Sequence, residues 1–193
     1  MVPERRSAIP AVYTIGHSTR SLDELVEMLR FHDVRTLIDV RTVPRSRHNP
    51  QFNRDALEGD LPAAGIGYRH IPALGGLRKS VGESSPNMGW RNASFRGYAD
   101  YMQTAGFAAA LEEAISIAGD GPIALMCAEA VPWRCHRSLI ADALLVRGVP
   151  SEDIQGPGKT IPHKLTPFAR TDGRRITYPP EQLPLESLTP GRA

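Results

Sequence analysis

Residues 12–40 constrain the fold more than any other stretch of the chain. Val12–Ile15 is a short apolar run of β-branched and aromatic character closed by Gly16, and it reads as a strand. Ser21 then opens Ser-Leu-Asp-Glu, a capping box with Glu24 at the third helical position. Leu22, Leu25, Val26 and Leu29 follow at helical spacing, which predicts a helix to about residue 31. Thr36–Val40 is a nearly continuous apolar run suited to a strand covered on both faces. Strand, capped helix and buried strand make a βαβ unit, whose strands are parallel and whose connection is right-handed. The expected fold is therefore α/β: three layers, a mostly parallel sheet flanked by helices, with an extended C-terminal segment.

The remaining segments fit this plan. Asn53 is a predicted N-cap, with Phe52 and Leu57 as a hydrophobic staple, for a helix over 54–61 ended by Pro62 and Gly65. Tyr68–Ile71 suits a strand. Two helical stripes run from Phe95 to Met102 and from Phe107 to Ala118, with Gly106 as the expected break. Ile123–Met126 reads as a buried strand, Leu139–Leu144 as part of a helix ending near Gly148, and 150–155 as a last strand. Residues 75–93 are rich in Gly, Ser and Asn and nearly aperiodic, which predicts a flexible lid. The expected organisation is a frayed terminus over 1–8, one α/β domain over 9–156, and a Pro-rich basic extension over 157–193.

Two cysteines in 193 residues cannot build a disulfide framework, so a reducing, cytoplasmic setting is expected. No segment is apolar over the roughly 18–20 residues that a membrane helix needs, and no membrane partner is expected. The formal net charge is only +2, but its distribution is uneven. Arg41, Arg45, Arg47 and Arg54 share one stretch with His48 and no acid. A second basic stretch runs from Lys159 to Arg175, with Asp172 as its one acid. Such runs are either solvated chain or an anion-facing surface.

In an open parallel sheet, ligands bind beyond the carboxyl ends of the strands. That rule selects His17 and Ser18 after the first strand, then Asp39 and Arg41 at the end of the second. It also selects Cys127 and Glu129 after the late strand, and Arg134, His136 and Arg137 on the way into the next helix. A buried Asp39 requires a partner, and Arg41 is the obvious one. Cys127 reads either as a small core hydrophobe or as a thiol activated by arginine and a helix N-terminus. His136 and Arg137 in a first helical turn oppose the helix dipole, which an anion at that place would offset. Otherwise they pair with acids such as Glu129. Seven residues lie between the cysteines, with no CxxC, so no metal is assigned. No phosphate-binding glycine motif of the common kinds is present, and no cofactor is assigned.

Several motifs occur in order: YTIGHS at 13–18, LIDVR at 37–41, YRHIPALGG at 68–76, MCAE at 126–129 and CHRSLIADAL at 135–144. Together they resemble the bacterial and archaeal family catalogued as domain of unknown function 488. The likeness spans about residues 12–178, with HKLT at 163–166 and ITYP at 176–179 similar to its C-terminal portion. It implies a compact α/β domain with a shared polar site and supplies no activity. A weaker likeness is to the rhodanese and cysteine-phosphatase superfamily, through LIDVR and a strand–Cys–loop–Arg–helix order. That resemblance would make Cys127 a nucleophile, with Arg134 or Arg137 holding the anion. Six residues separate Cys127 from Arg134 here, against four or five in that superfamily.

The expected function is an enzyme acting on a phosphate-type anionic group of a nucleotide or nucleic acid. Arg41, Arg134 and Arg137 would hold the anion together with Ser18 and His136. His17 would be the general acid or base, oriented by Asp39 or Glu129, with Cys127 as nucleophile. The expected partner is thus a phosphate-bearing small molecule or a nucleic acid. The alternatives are a non-catalytic nucleic-acid- or nucleotide-binding module, with Trp90, Tyr98 or Trp133 stacking bases, and a rhodanese-like sulfurtransferase or cysteine phosphatase.

Overall fold

The computed structural model describes residues 11–180, so the segment 1–8 read as a frayed terminus lies outside the described residues. In chain order the elements are β1 (Val12–Gly16), α1 (Leu22–Phe31), β2 (Thr36–Asp39), α2 (Arg54–Ala63), β3 (Gly67–His70), α3 (Ala93–Tyr101) and α4 (Ala105–Ala118). There follow β4 (Ile123–Cys127), α5 (Arg137–Val146), β5 (Ser151–Gly156), β6 (Lys159–Pro162), β7 (Arg170–Asp172) and β8 (Arg175–Thr177).

Six strands form the main sheet in the order β3-β2-β4-β1-β5-β6. All neighbours are parallel except β5 and β6. β1 and β2 are parallel, as a βαβ unit requires, but they are not adjacent: β4 lies between them. The chain therefore builds outward from β1 to β2 and β3, then returns through β4 and continues on the other side with β5. Every strand that flanks β1 or β4 ends its polar loop at the same sheet edge.

Strand alternation sorts the core into two layers. Leu37, Ala124, Met126 and Ile15 face Leu25, Leu29, Leu57 and Leu61 of α1 and α2. Val12, Ile38, Ile123 and Leu125 face α3, α4 and α5 through Tyr98, Phe107, Leu111, Leu139 and Leu144. Each fully buried Val, Leu, Ile, Phe or Met among them stabilises by about 1.5–3 kcal/mol, so the buried positions on both faces of β1, β2 and β4 are apolar apart from Thr14 and Asp39. The capping box of α1 is formed: Ser21 Oγ accepts from the Glu24 amide at 3.2 Å, and the Ser21 amide donates to the Glu24 carboxylate at 2.6 Å.

Three local expectations are corrected. Asn53 precedes α2 but does not cap it with its side chain; its Oδ1 accepts from the Ser46 amide at 2.6 Å and ties down the basic loop instead. Pro62 lies inside the last turn of α2, which ends at Ala63 rather than 61. Gly106 is within α4; the break falls at Thr104, whose hydroxyl caps α4 by accepting from the Phe107 amide at 3.2 Å.

The 75–93 segment contains one 3-10 turn, Gly82–Ser84, and Asp100 on α3 gathers it. Its carboxylate accepts from Ser80 Oγ, the Val81 amide, Ser85 Oγ and Asn87 Nδ2. Beyond Gly156, β6 extends the main sheet and β7–β8 form a separate hairpin. Asp142 on α5 anchors that extension, accepting from Thr166 Oγ1 at 2.6 Å and Tyr178 Oη at 2.9 Å, with His163 Nε2 at 2.7 Å.

Candidate functional site

A cavity of about 730 Å³ opens at the carboxyl edge of the sheet. The loops after β1, β2 and β4 line it, together with the turn leading into α5. His17, Ser18, Arg41, Cys127, Glu129, Arg134 and His136 all contribute to its wall, as do Arg45 and Cys135. Asp39 and Arg137 do not.

The β2 side of the wall is a closed network. Asp39 is fully buried, and its carboxylate takes Arg41 Nε at 2.8 Å and Nη2 at 2.5 Å. The Arg41 amide and Tyr68 Oη also donate to it, at 3.0 and 2.9 Å. Arg41 Nη2 further donates to Phe52 O at 2.6 Å, and Nη1 meets His17 Nε2 at 3.1 Å. A guanidinium has five donors; none of the described residues takes the second hydrogen on Nη1. Arg41 thus lines the cavity, oriented by a buried acid, with one Nη1 hydrogen that no described residue takes.

His17 is locked into that network. Its ring stacks on Phe52 with centroids 4.2 Å apart, and its Nδ1 lies 2.9 Å from Ser18 O. Nδ1–H donating to that carbonyl leaves the Nε2 lone pair to accept from Arg41. Burial, helped by the Arg41 charge, holds its pKa down to about 4, so the ring is neutral. Its basic nitrogen is occupied, which makes His17 a support for Arg41 and leaves no lone pair for proton abstraction from a ligand. Ser18, at φ 52°, occupies the left-handed region and turns the chain at this point.

The β4 side is less satisfied. The 3-10 turn Pro132–Arg134 folds the loop back, bringing Cys135 to Cys127. His136 Nδ1 lies 3.7 Å from Cys135 Sγ and 4.0 Å from Cys127 Sγ. The two thiol sulfurs lie within 4.8 Å of each other. The neighbouring Cys127 thiol, and after it His136, pushes the Cys135 thiol down against its burial, while Cys135 and burial push the Cys127 thiol up. Glycines make this crowding possible: a Cβ on Gly16 would fall 1.9 Å from Glu129 O, and one on Gly76 would fall 2.5 Å from His136 Nδ1.

Arg134 is exposed at the wall, and no salt bridge among the described residues involves it. Glu129 is exposed too, its Oε1 accepting from the Val131 amide at 3.1 Å. Arg137 is fully buried and points elsewhere. It pairs with Asp153 Oδ1 at 2.9 Å and donates to Glu129 O at 2.6 Å, pinning the loop to β5. Among the stacking residues considered from sequence, Tyr98 is core, Trp90 packs against that core, and Trp133 is 69% exposed. Cys135 was missed as a site residue because its place before a buried helical face looks structural. Arg45 was noticed only as part of a basic run.

The fold and site define an α/β domain whose parallel sheet carries a polar, arginine- and thiol-lined cavity at its carboxyl edge. The chain belongs to the family described as domain of unknown function DUF488, whose sequence model matches residues 21–144. No curated protein and no solved structure matches the chain. Nothing in these comparisons supports the rhodanese and phosphatase likeness. The loop geometry also departs from an amide cradle. The amides of Val131, Arg134 and Cys135 are already bonded to Glu129 Oε1, Val131 O and Pro132 O, and Pro132 has none.

Proposed function

We propose that the protein is an enzyme acting on a phosphate-type anionic group of a nucleotide or nucleic acid held in this cavity. The observation that carries the reading is the joint lining of one cavity by Arg41, Arg45, Arg134 and both thiols. Arg134 and the remaining Nη1 donor of Arg41 are available to oxygen atoms, and guanidinium favours paired contacts to phosphate. Leu77 and Phe95 on the same wall offer apolar surface for a base or sugar. The reactive part is the thiol pair with His136: a thiolate is both a nucleophile and a ligand of soft cations. Glu129, exposed at the same wall, is the carboxylate placed to exchange a proton with a ligand. Asp39 and His17 act through Arg41, as positioning residues.

Alkylation of reduced, chelator-treated protein by iodoacetamide, followed across pH and with peptide mapping, tests the reading. Labelling of the pair in the folded protein well below the ordinary thiol pKa of about 8.5, slowed by inorganic phosphate, is the expected result. Labelling only on unfolding would remove the thiols from the chemistry. A rate indifferent to phosphate would remove the anion.

A further inference from the structure

Cys127, Cys135 and His136 present one ligand atom each, all within 4.8 Å of one another. Zinc–sulfur and zinc–nitrogen bonds of about 2.3 and 2.0–2.1 Å, at a tetrahedral angle, set sulfur and nitrogen about 3.6 Å apart. The two sulfur–nitrogen separations here are 3.7 and 4.0 Å. The sulfur–nitrogen separations would close by at most a few tenths of an ångström, and the sulfur–sulfur separation, within 4.8 Å, would close toward the ~3.8 Å of two zinc–sulfur bonds of about 2.3 Å, to complete three corners of a tetrahedron. We propose that these three residues hold one soft divalent cation of the zinc class, with its fourth position open to the cavity.

The donor set decides the class of ion. Two thiolates and an imidazole favour zinc-like ions, whereas magnesium and calcium need oxygen ligands. The geometry decides the type of site. All three residues line the cavity, and Glu129, on the same wall, stands outside the cluster. Three protein ligands and an open corner are the arrangement of a catalytic ion, not a purely structural one. The seven-residue separation of the cysteines hid the site, because the Pro132–Arg134 turn closes a gap that linear spacing leaves wide. Gly76 leaves room for the His136 ring, because a Cβ at that position would fall 2.5 Å from its Nδ1. His136 Nε2 is buried with no partner among the described residues. Ligating histidines usually donate that hydrogen to a second partner, and losing such a partner weakens binding by about 10–100-fold. The ion at this site is accordingly exchangeable and removable by a chelator.

The inference rests on the anion reading only for the purpose of the fourth position, where a phosphate oxygen would be polarised by the ion between Arg41 and Arg134. Cobalt(II) separates the two. Reduced, chelator-treated full-length protein titrated with cobalt(II) should show a thiolate-to-cobalt charge-transfer band and tetrahedral visible bands, saturating at one ion per chain and abolished by zinc. Cys135→Ser and His136→Ala should each weaken cobalt binding by tenfold or more. Should either variant fail to fold, zinc protection of both wild-type cysteines from alkylation replaces that readout. A titration without the charge-transfer band, or zinc that leaves both thiols equally reactive, overturns the site. Inorganic phosphate is then added to cobalt-loaded and to metal-free protein. Cobalt spectra indifferent to phosphate, with no phosphate heat in either form, keep the metal site and remove the anion reading. Phosphate binding to protein that never takes cobalt does the reverse.

Discussion

Two buried arginines stand on either side of the sheet edge, and they differ in what they leave undone. Arg41 and Arg137 both follow the end of a strand closely enough to look like anion ligands, and both pair with a buried aspartate. Arg41 lines the cavity with one Nη1 hydrogen that no described residue takes. Arg137 turns inward: its guanidinium joins Asp153 to the carbonyls of Glu129 and Ala130, and its Nε is buried without a partner among the described residues. Burial pushes the Asp153 carboxyl up against the pull of Arg137. A buried ion pair of this kind fixes loop positions more than it adds stability. The comparison teaches that a buried arginine near a strand end belongs to a site only if it lines the cavity with part of its fork unbound.

The largest test of that distinction is Asp153→Ala. It strands a fully buried charge on Arg137, and urea unfolding should show a loss of about 3–5 kcal/mol. A loss under about 1 kcal/mol would mean that Arg137 is solvated and free to serve the cavity.

The Arg41 side is best tested through pH. The neutral His17, with its pKa near 4, refuses a proton that the unfolded chain takes at about 6.5. Its contribution is complete above about pH 6.5 and is lost as pH falls through 6.5 toward 4, amounting to as much as about 3 kcal/mol. Urea stability profiles of wild type and His17→Gln should therefore converge as the pH falls. Profiles that stay parallel would show that His17 titrates normally and does not hold Arg41.

Arg134→Ala should weaken phosphate binding about tenfold, near 1.4 kcal/mol, with stability changed by less than about 0.5 kcal/mol, because its side chain is exposed at the wall. Calorimetry with inorganic phosphate beside thermal unfolding separates the two effects; equal binding would assign the anion elsewhere. The smallest effect belongs to Ser21, which lies outside the cavity lining. Ser21→Ala removes the α1 cap and should lower stability by about 1 kcal/mol while leaving phosphate binding unchanged.

Much of this fold was legible in the chain because its signals are local. The Ser21–Glu24 box starts α1 where the pattern puts it, and the apolar runs at 12–15, 36–40 and 123–126 become β1, β2 and β4. Local signals failed where a side chain had a better partner elsewhere. Asn53 holds Ser46 rather than its own helix, and Thr104 takes the capping role that a glycine break at 106 had obscured. The insertion of β4 between β1 and β2 has no local signature at all, since strand order depends on which apolar faces pack together.

By itself the sequence determined the α/β class, the strand-end loops that carry polar residues, and family membership, because periodicity, capping and motif order are properties of neighbouring residues. Only the tertiary structure decided the fate of each side chain. It bound His17 to Arg41, turned Arg137 away toward Asp153, and set Cys135 and His136 beside Cys127. Those outcomes depend on desolvation and on distances across the chain, where a buried group takes the partner that packing supplies.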